Sequence, residues 1–361
     1  MILKTYILYI VKTYLQNFVK VFFIFFSLVF LISIFEEISY FKETDKSIFF
    51  VLFMTILNTP AVVYLIAPFI FLISTQSFFM ELFRKDELSI FKSFGLSNIK
   101  ILSSIISISI ICCLVISIFF YNLSAKLQFV YLDYKNQHSK DNKYLAMITE
   151  NGLWIKVETD QYINLINAER MNKNILQDVT ITVLDKSFKL IKNITSKKVN
   201  ILSNDWIMID PKTVNFDSTT TYDSGEIIFK SNLDYKKINS LFSNLSSLTF
   251  FELNKLKKSY IELNYTTEEL DLHILRLYSQ PFYMVIMTLL ASIIMFNIKR
   301  SHENYIYIIL GVSISVMIYY IIYLFSLLGI NGNLSVNLSV WIPLIIIFLV
   351  STIGLVRLNE K

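Results

Sequence analysis

Two blocks of apolar sequence bracket a polar centre, and that arrangement limits what the chain can become. The apolar runs cluster before about residue 122 and after about residue 272. Each reaches roughly 18 residues or more, enough for a helix to cross a bilayer core about 30 Å thick. Backbone groups surrounded by hydrocarbon must satisfy one another, so these blocks have to be helical. The stretch between them is polar, rich in Asn and Lys, and patterned like a globular domain. With 54% hydrophobic and 15% aromatic residues over 361 positions, a soluble fold could not keep its surface wet. The chain is expected to be an integral membrane protein carrying a soluble insert.

The positions of Lys and Arg orient the spans, because short cytoplasmic loops carry the basic excess. The first span is expected over Asn17–Phe35, preceded by Lys4, Lys12 and Lys20 and followed by Glu36 and Glu37, which puts the amino terminus in the cytoplasm. A cleaved signal peptide is the alternative, but no small-residue cleavage site follows the run, so it reads as a retained anchor. Ile48–Met80 is too long for one span and contains Pro60 and Pro68. A break near Asn58–Pro60 is expected, giving a short interfacial helix and then a span. A charged cytoplasmic helix over Glu81–Asn98 leads to a third span, Ile101–Tyr121. The fourth span is read over Leu277–Ile298, the fifth over Tyr305–Leu328 and the sixth over Leu338–Val356, ending on the basic residues Arg357 and Lys361. Three spans on each side of the insert leave both termini inside and the insert outside.

Between Lys126 and Tyr265 the apolar period changes from that of a helix to two. Strands are expected at Gly152–Val157, Gln161–Ile166, Val179–Leu184, Val199–Leu202, Asp205–Ile209 and Glu226–Lys230, separated by Asn, Asp, Ser and Gly turn signals. That pattern suits an all-β sandwich or jelly roll. Two helices, Thr249–Tyr260 and Thr267–Leu277, follow, each opened by a Thr with a Glu close behind as an N-terminal cap. The fold class is thus an α-helical membrane protein with six transmembrane helices and an inserted all-β, jelly-roll-like domain on the outer side of the membrane. Residues 1–125 hold the first three spans, 126–265 the insert with its linker helix, and 266–361 the last three spans.

Catalytic constellations are missing from the sequence. It has no G-x-x-x-x-G-K-[ST] phosphate loop, no H-E-x-x-H and no G-x-S-x-G. No cofactor is expected in this chain, no metal site, and no nucleic-acid partner. If nucleotide powers transport, another chain hydrolyses it. Cys112 and Cys113 are adjacent in an apolar run, where side chains point about 100° apart, so no structural disulfide is implied. His138, His273 and His302 are too scattered to suggest a metal site.

The most informative local segment is Phe83–Ser97. Read as one helix, it puts Phe83, Ile90, Phe91 and Phe94 on a stripe, with charges around the rest and Gly95 as its stop. Such a helix could lie on the bilayer surface. It could instead dock in a groove of a soluble partner, with the aromatic residues as anchors and Glu87 with Arg84 or Lys85 as orienting charges. Its mixed charge favours docking, since a surface anchor is more purely basic. Charges at span boundaries form a second group: Glu36, Glu37 and Lys42 after the first span, and His273 with Arg276 at the mouth of the fourth. They either snorkel to the interface or meet phosphorylated head groups of a lipid-like substrate. Gly311 and Ser315 read as a site of close helix packing.

In architecture and in several motifs the chain resembles the LptF/LptG family, the paired permeases of bacterial lipopolysaccharide export. Lys85-Asp86-Glu87-Leu88 through Gly95 is similar to the family's coupling helix. Leu248–Tyr260, then His273, Arg276 and Pro281 leading into Met284–Leu290, looks like its passage from the soluble domain into the fourth span. Trp341-Ile342-Pro343 also fits, and Gly152-Leu153-Trp154-Ile155-Lys156 looks like LptG rather than LptF. The chain departs from the family at Asn122–Ala125, where a Pro is common, and at Glu36 and Glu37, where LptG proteins can carry a basic residue.

The resemblance implies Arg84, Lys85, Glu87, Leu88, Phe91 and Gly95 as the residues that couple to an ATPase, and Lys42 as a candidate substrate contact. It implies an LptF-like permease, an LptB-like ATPase dimer, an LptC-like membrane-anchored protein and an LptA-like periplasmic bridge as partners, with lipopolysaccharide as cargo and the bacterial inner membrane as location. Two other classes stay open: another permease with a periplasmic domain, of the lipoprotein-release or MacB kind and usually with four spans, and a membrane-anchored binding or sensor protein.

Overall fold

The computed structural model describes residues 2–42, 47–138, 153–158, 162–172, 174–215, 220–222, 225–231, 233, 238, 244–262, 266–296 and 305–359. They gather into two compact units, residues 1–128 with 268–361, and residues 129–267. Among the described residues, six helical stretches are long and apolar enough to cross a membrane: Tyr6–Phe41, Ile48–Leu65, Asn98–Lys135, Glu268–Phe296, Ile306–Ile330 and Val336–Arg357.

Helix α1 is a single run, Ile2–Phe41. Glu36 and Glu37 lie inside it rather than after it, because glutamate is a good helix former and no breaker precedes them. The break expected near Pro60 falls later. Helix α2 (Ile48–Leu65) passes through Pro60, and the chain turns at Ile66 before α3 (Ala67–Arg84), which carries Pro68 in its first turn. A proline in a first helical turn sacrifices no intrahelical donor, so the chain breaks there instead. Beside Pro60, Thr55 and Thr59 turn their hydroxyls back to the carbonyls of Val51 and Thr55 at 2.9 and 2.7 Å, which satisfies both polar side chains inside the apolar helix. The two helices are 18 residues each, so neither is the short interfacial piece expected. After the short helix α4 (Glu87–Ser93), α5 (Asn98–Val115) continues through a π-helical turn, Ile116–Phe120, into α6 (Tyr121–His138). Helix thus extends well past the expected end at Tyr121, since Asn122–Lys126 contains no breaker.

Among the described residues, the central unit holds an eight-stranded antiparallel sheet: β1 (Leu153–Glu158), β2 (Tyr162–Asn172), β3 (Ile175–Asp185), β4 (Leu190–Asn200), β5 (Asp205–Ile209), β6 (Lys212–Asn215), β7 (Thr220–Tyr222) and β8 (Glu226–Lys230). Its order is β1-β2-β3-β4-β5-β8, with β6 branching from β4 and β7 pairing β6. The branch arises because β4 pairs β6 through Lys192–Thr195 and β5 through Lys198–Asn200. Alternation buries Leu153, Ile155 and Val157 on β1 and Val179, Ile181 and Val183 on β3. Trp206 on β5 is fully buried and donates its indole N–H to the Leu233 carbonyl at 2.6 Å, which satisfies the one polar atom of that large side chain. Strands β6 and β7, short and carrying Thr, Lys and Asn in place of an apolar pattern, were not expected, and β4 runs over Leu190–Asn200 where only Val199–Leu202 was expected. Glycine 152 lies outside the described residues. Helix α7 (Phe250–Glu262) opens with the expected capping arrangement: Glu252 accepts from the backbone N–H and the hydroxyl of Thr249 at 2.8 and 2.7 Å.

Helix α8 (Glu268–Phe296) merges the two helical pieces expected at Thr267–Leu277 and Leu277–Ile298, running through Pro281 without a break. The chain ends with α9 (Tyr305–Ile330) and α10 (Val336–Asn359), joined by a turn in which Gly332 takes a left-handed φ of 71°. Helix α8 is the hub of the membrane unit, packing against α3, α5, α9 and α10, while α1 packs on α2, α3 and α5. Over half of its span window is buried, against 22% for α1 and 17% for α9. Gly311 on α9 leaves room for the Gln76 amide of α3, which donates to the Tyr307 carbonyl at 2.9 Å; a Cβ there would displace that side-chain end.

Candidate functional site

The helix expected over Glu81–Asn98 is two pieces with an elbow between them. Glu81–Arg84 form the last turn of α3, and Asp86 adopts the left-handed conformation, φ 55° and ψ 15°, immediately before α4 begins at Glu87. Asp and Asn tolerate that region better than other side chains with a Cβ, which explains how a chain without glycine here can turn so sharply. Helix α4 then ends at Gly95, whose φ is 81°. Gly95 N–H donates to Lys92 O at 2.9 Å and Leu96 N–H to Phe91 O at 3.1 Å, the paired bonds of a Schellman stop.

The elbow divides the expected aromatic stripe. Leu88 is buried, and Phe91 and Phe83 are partly buried against a cluster that includes Ile10 and Tyr14 of α1, Phe79 and Leu82 of α3, Ile101 and Ile105 of α5 and Met295 of α8. Ile90 and Phe94 point away, 47% and 79% exposed. The inward pair fixes the short helix to the bundle, and the outward pair is left for something else. Seven residues of helix have little stability of their own, so this burial is what holds α4 in place.

Polar contacts tie the same elbow to α1. Tyr9 donates its hydroxyl hydrogen to Glu87 Oε1 at 2.6 Å, and its ring meets Phe91 edge-on at 6.3 Å. On the α3 side, Asn17 Nδ2 donates to Glu81 Oε2 at 2.6 Å and Ser77 donates to Asn17 Oδ1 at 3.0 Å. Lys85 completes the set with an ion pair to Glu81 at 2.7 Å. The Lys85 ammonium and then the Asn17 amide hold the Glu81 carboxyl below the usual carboxylate range.

Of the residues singled out from sequence, Glu87, Leu88 and Phe91 come together on α4. Arg84 and Lys85 are exposed at the end of α3, and Gly95 is exposed at the stop. Lys42 is elsewhere, exposed just past α1. Tyr9, Asn17, Ser77 and Glu81 were not anticipated. An Asn inside an apolar span and a Glu four residues before a Lys were the signals that could have found two of them.

A second polar place lies on α8. His273 Nε2 is buried without a hydrogen-bond partner among the described residues. Arg276, one turn on, is partly buried and lies within electrostatic reach of Tyr319 and Tyr323 on α9. No ion pair holds Arg276 among the described residues.

A family model, the lipopolysaccharide export system permease LptF/LptG, matches residues 8–357. The chain belongs to the LptF/LptG family. No curated relative matches it in sequence. Membership covers both helical blocks and the β insert, and makes the chain a multi-pass inner-membrane permease of lipopolysaccharide export, a transporter subunit rather than an enzyme. Within that family the elbow occupies the place of the segment likened above to the coupling helix.

Proposed function

We propose that this LptF/LptG member is the LptG-like half of a permease pair that extracts lipopolysaccharide from the inner membrane, driven by an LptB-like ATPase dimer that docks on α4. The observation that carries this reading is the elbow, which fixes Leu88 and Phe91 inward while presenting Ile90 and Phe94 outward beside Arg84, Lys85 and Lys92. A short helix with a held inner face and a free apolar-basic outer face suits a groove in a soluble partner. The sequence has no nucleotide-binding loop, which supports a reading in which that partner hydrolyses ATP.

The thinly buried spans α1 and α9 support a cavity for acyl chains, shared with an LptF-like subunit. Lys42, and Arg276 with His273, are the candidate contacts for lipid phosphates. The β unit supports passage toward an LptC-like protein and an LptA-like bridge, because β1 pairs only β2 and β8 only β5 among the described strands, leaving edges for strand addition. Both termini are cytoplasmic in this reading and the β unit periplasmic. Six candidate spans, rather than four, favour it over a permease of the lipoprotein-release kind.

The test is affinity purification of the detergent-solubilised chain from its native membrane, with mass spectrometry of proteins and lipid. Recovery of a second permease, an ATPase and lipopolysaccharide is expected. Recovery of the chain without any ATPase, even after crosslinking, would overturn the reading.

A further inference from the structure

The elbow is attached to α1 at two points on either side of its bend, and we infer that Tyr9 and Asn17 are positioning residues that transmit movement of α4 into α1. Tyr9 holds Glu87, the first residue of α4, at 2.6 Å, and Asn17 holds Glu81, in the last turn of α3, at 2.6 Å. Tyr9 and Asn17 are eight residues apart, about two turns, so they share a face of α1 and stand roughly 12 Å apart along its axis.

A single attachment would let the elbow swivel about it. Two attachments that bracket the left-handed Asp86 fix its direction relative to α1, so a push on α4 reaches α1 instead of being absorbed by the bend. Both acceptors are carboxylates, and hydrogen bonds to charged acceptors are shorter and stronger than neutral ones. Asn17 is 3% exposed and is itself held by Ser77 and by the carbonyl of Thr13 at 2.9 Å, so its amide cannot reorient freely. Tyr9 keeps a second contact through its ring against Phe91, which makes its hydroxyl the separable part.

This inference rests on α4 being the ATPase-docking element. The experiment uses the complete complex, with permease pair and ATPase, in nanodiscs holding lipopolysaccharide, and reads the amount of ATPase bound, ATP hydrolysed and lipid released. Tyr9→Phe preserves the ring and removes the donor, and Asn17→Ala removes the other attachment. The expected result is a fall of about fivefold or more in lipid released per ATP for either variant, with ATPase still bound. A purely structural role would lower the amount of assembled complex without changing the ratio of lipid to ATP.

An unchanged ratio in Tyr9→Phe would overturn the inference while leaving the proposed function intact. Tyr9→Phe carries the test should Asn17→Ala fail to assemble. Failure of the unaltered chain to hold ATPase would overturn both.

Discussion

The chain interrupts its helices twice in quick succession, at Ile66 and at Asp86, and the two breaks are built differently. At Ile66 the hydrogen bonds that bracket the turn are backbone ones, from Ile66 N–H to Val62 O at 3.2 Å and from Phe69 N–H to Ile66 O at 3.0 Å, and Pro68 follows at once. At Asp86 the bend is a strained left-handed residue flanked by carboxylates that α1 holds from 64 and 78 residues away in sequence. A break that only redirects the chain needs a local signal, whereas one that must present a short helix in a fixed direction needs partners on another element.

If that contrast is right, substitutions at the second break should matter more, and in different ways. The largest effect is expected from Leu88→Ala, which empties a buried position under α4 and should cost about 2–5 kcal/mol of local stability. Proteolysis or hydrogen exchange of residues 85–96 would show it as early opening of that segment. Next comes the bend itself. Asp86→Val should cost about 1–2 kcal/mol, because a branched Cβ suits the left-handed region poorly, while Asp86→Gly should be neutral or stabilising. Thermal unfolding in detergent separates the two, and equal effects would mean that backbone strain is not what shapes the elbow.

The third effect depends on pH. Glu81 lies beyond the six candidate spans, and its carboxyl is held below its ordinary value, so the stability it contributes is present at neutral pH. That contribution is lost as pH falls through the depressed folded value. Melting temperature should therefore decline on acidification in the unaltered chain, and decline less in Glu81→Gln; parallel curves would remove Glu81 from the account. The smallest effect is expected at the first break. Pro68→Ala should cost only about 0.4–1 kcal/mol, the entropy a first-turn proline removes from the unfolded chain. A larger loss there would erase the contrast between the two breaks.

Much of this architecture was legible without coordinates. Strands β5 and β8 fell on the expected residues, Asp205–Ile209 and Glu226–Lys230, because period-two apolar patterns between turn residues have few other outcomes. The cap of α7 was legible for a similar reason, since Thr249 and Glu252 form it within four residues. Helix ends were less legible. Pro60 and the charges at Glu36 and Glu37 looked like stops, but α2 runs through Pro60, and the favourable helix propensity of Glu lets α1 run on. The segment Glu81–Asn98 was expected as one helix and is two pieces with an elbow. Its stop at Gly95 was visible, while the left-handed Asp86 was not, because nothing local distinguishes that Asp from one in a helix.

By itself the sequence determined the membrane character, the β insert and the Gly95 helix stop, since each depends on composition and spacing over short stretches. Tertiary structure alone decided that α8 is the hub, that Gly311 makes room for Gln76, and that Glu81 and Glu87 face α1 instead of standing free. Those outcomes turn on which distant side chains meet. An apolar helix offers many nearly equivalent faces to its neighbours, so only close packing and the need to pair a few polar groups choose among them.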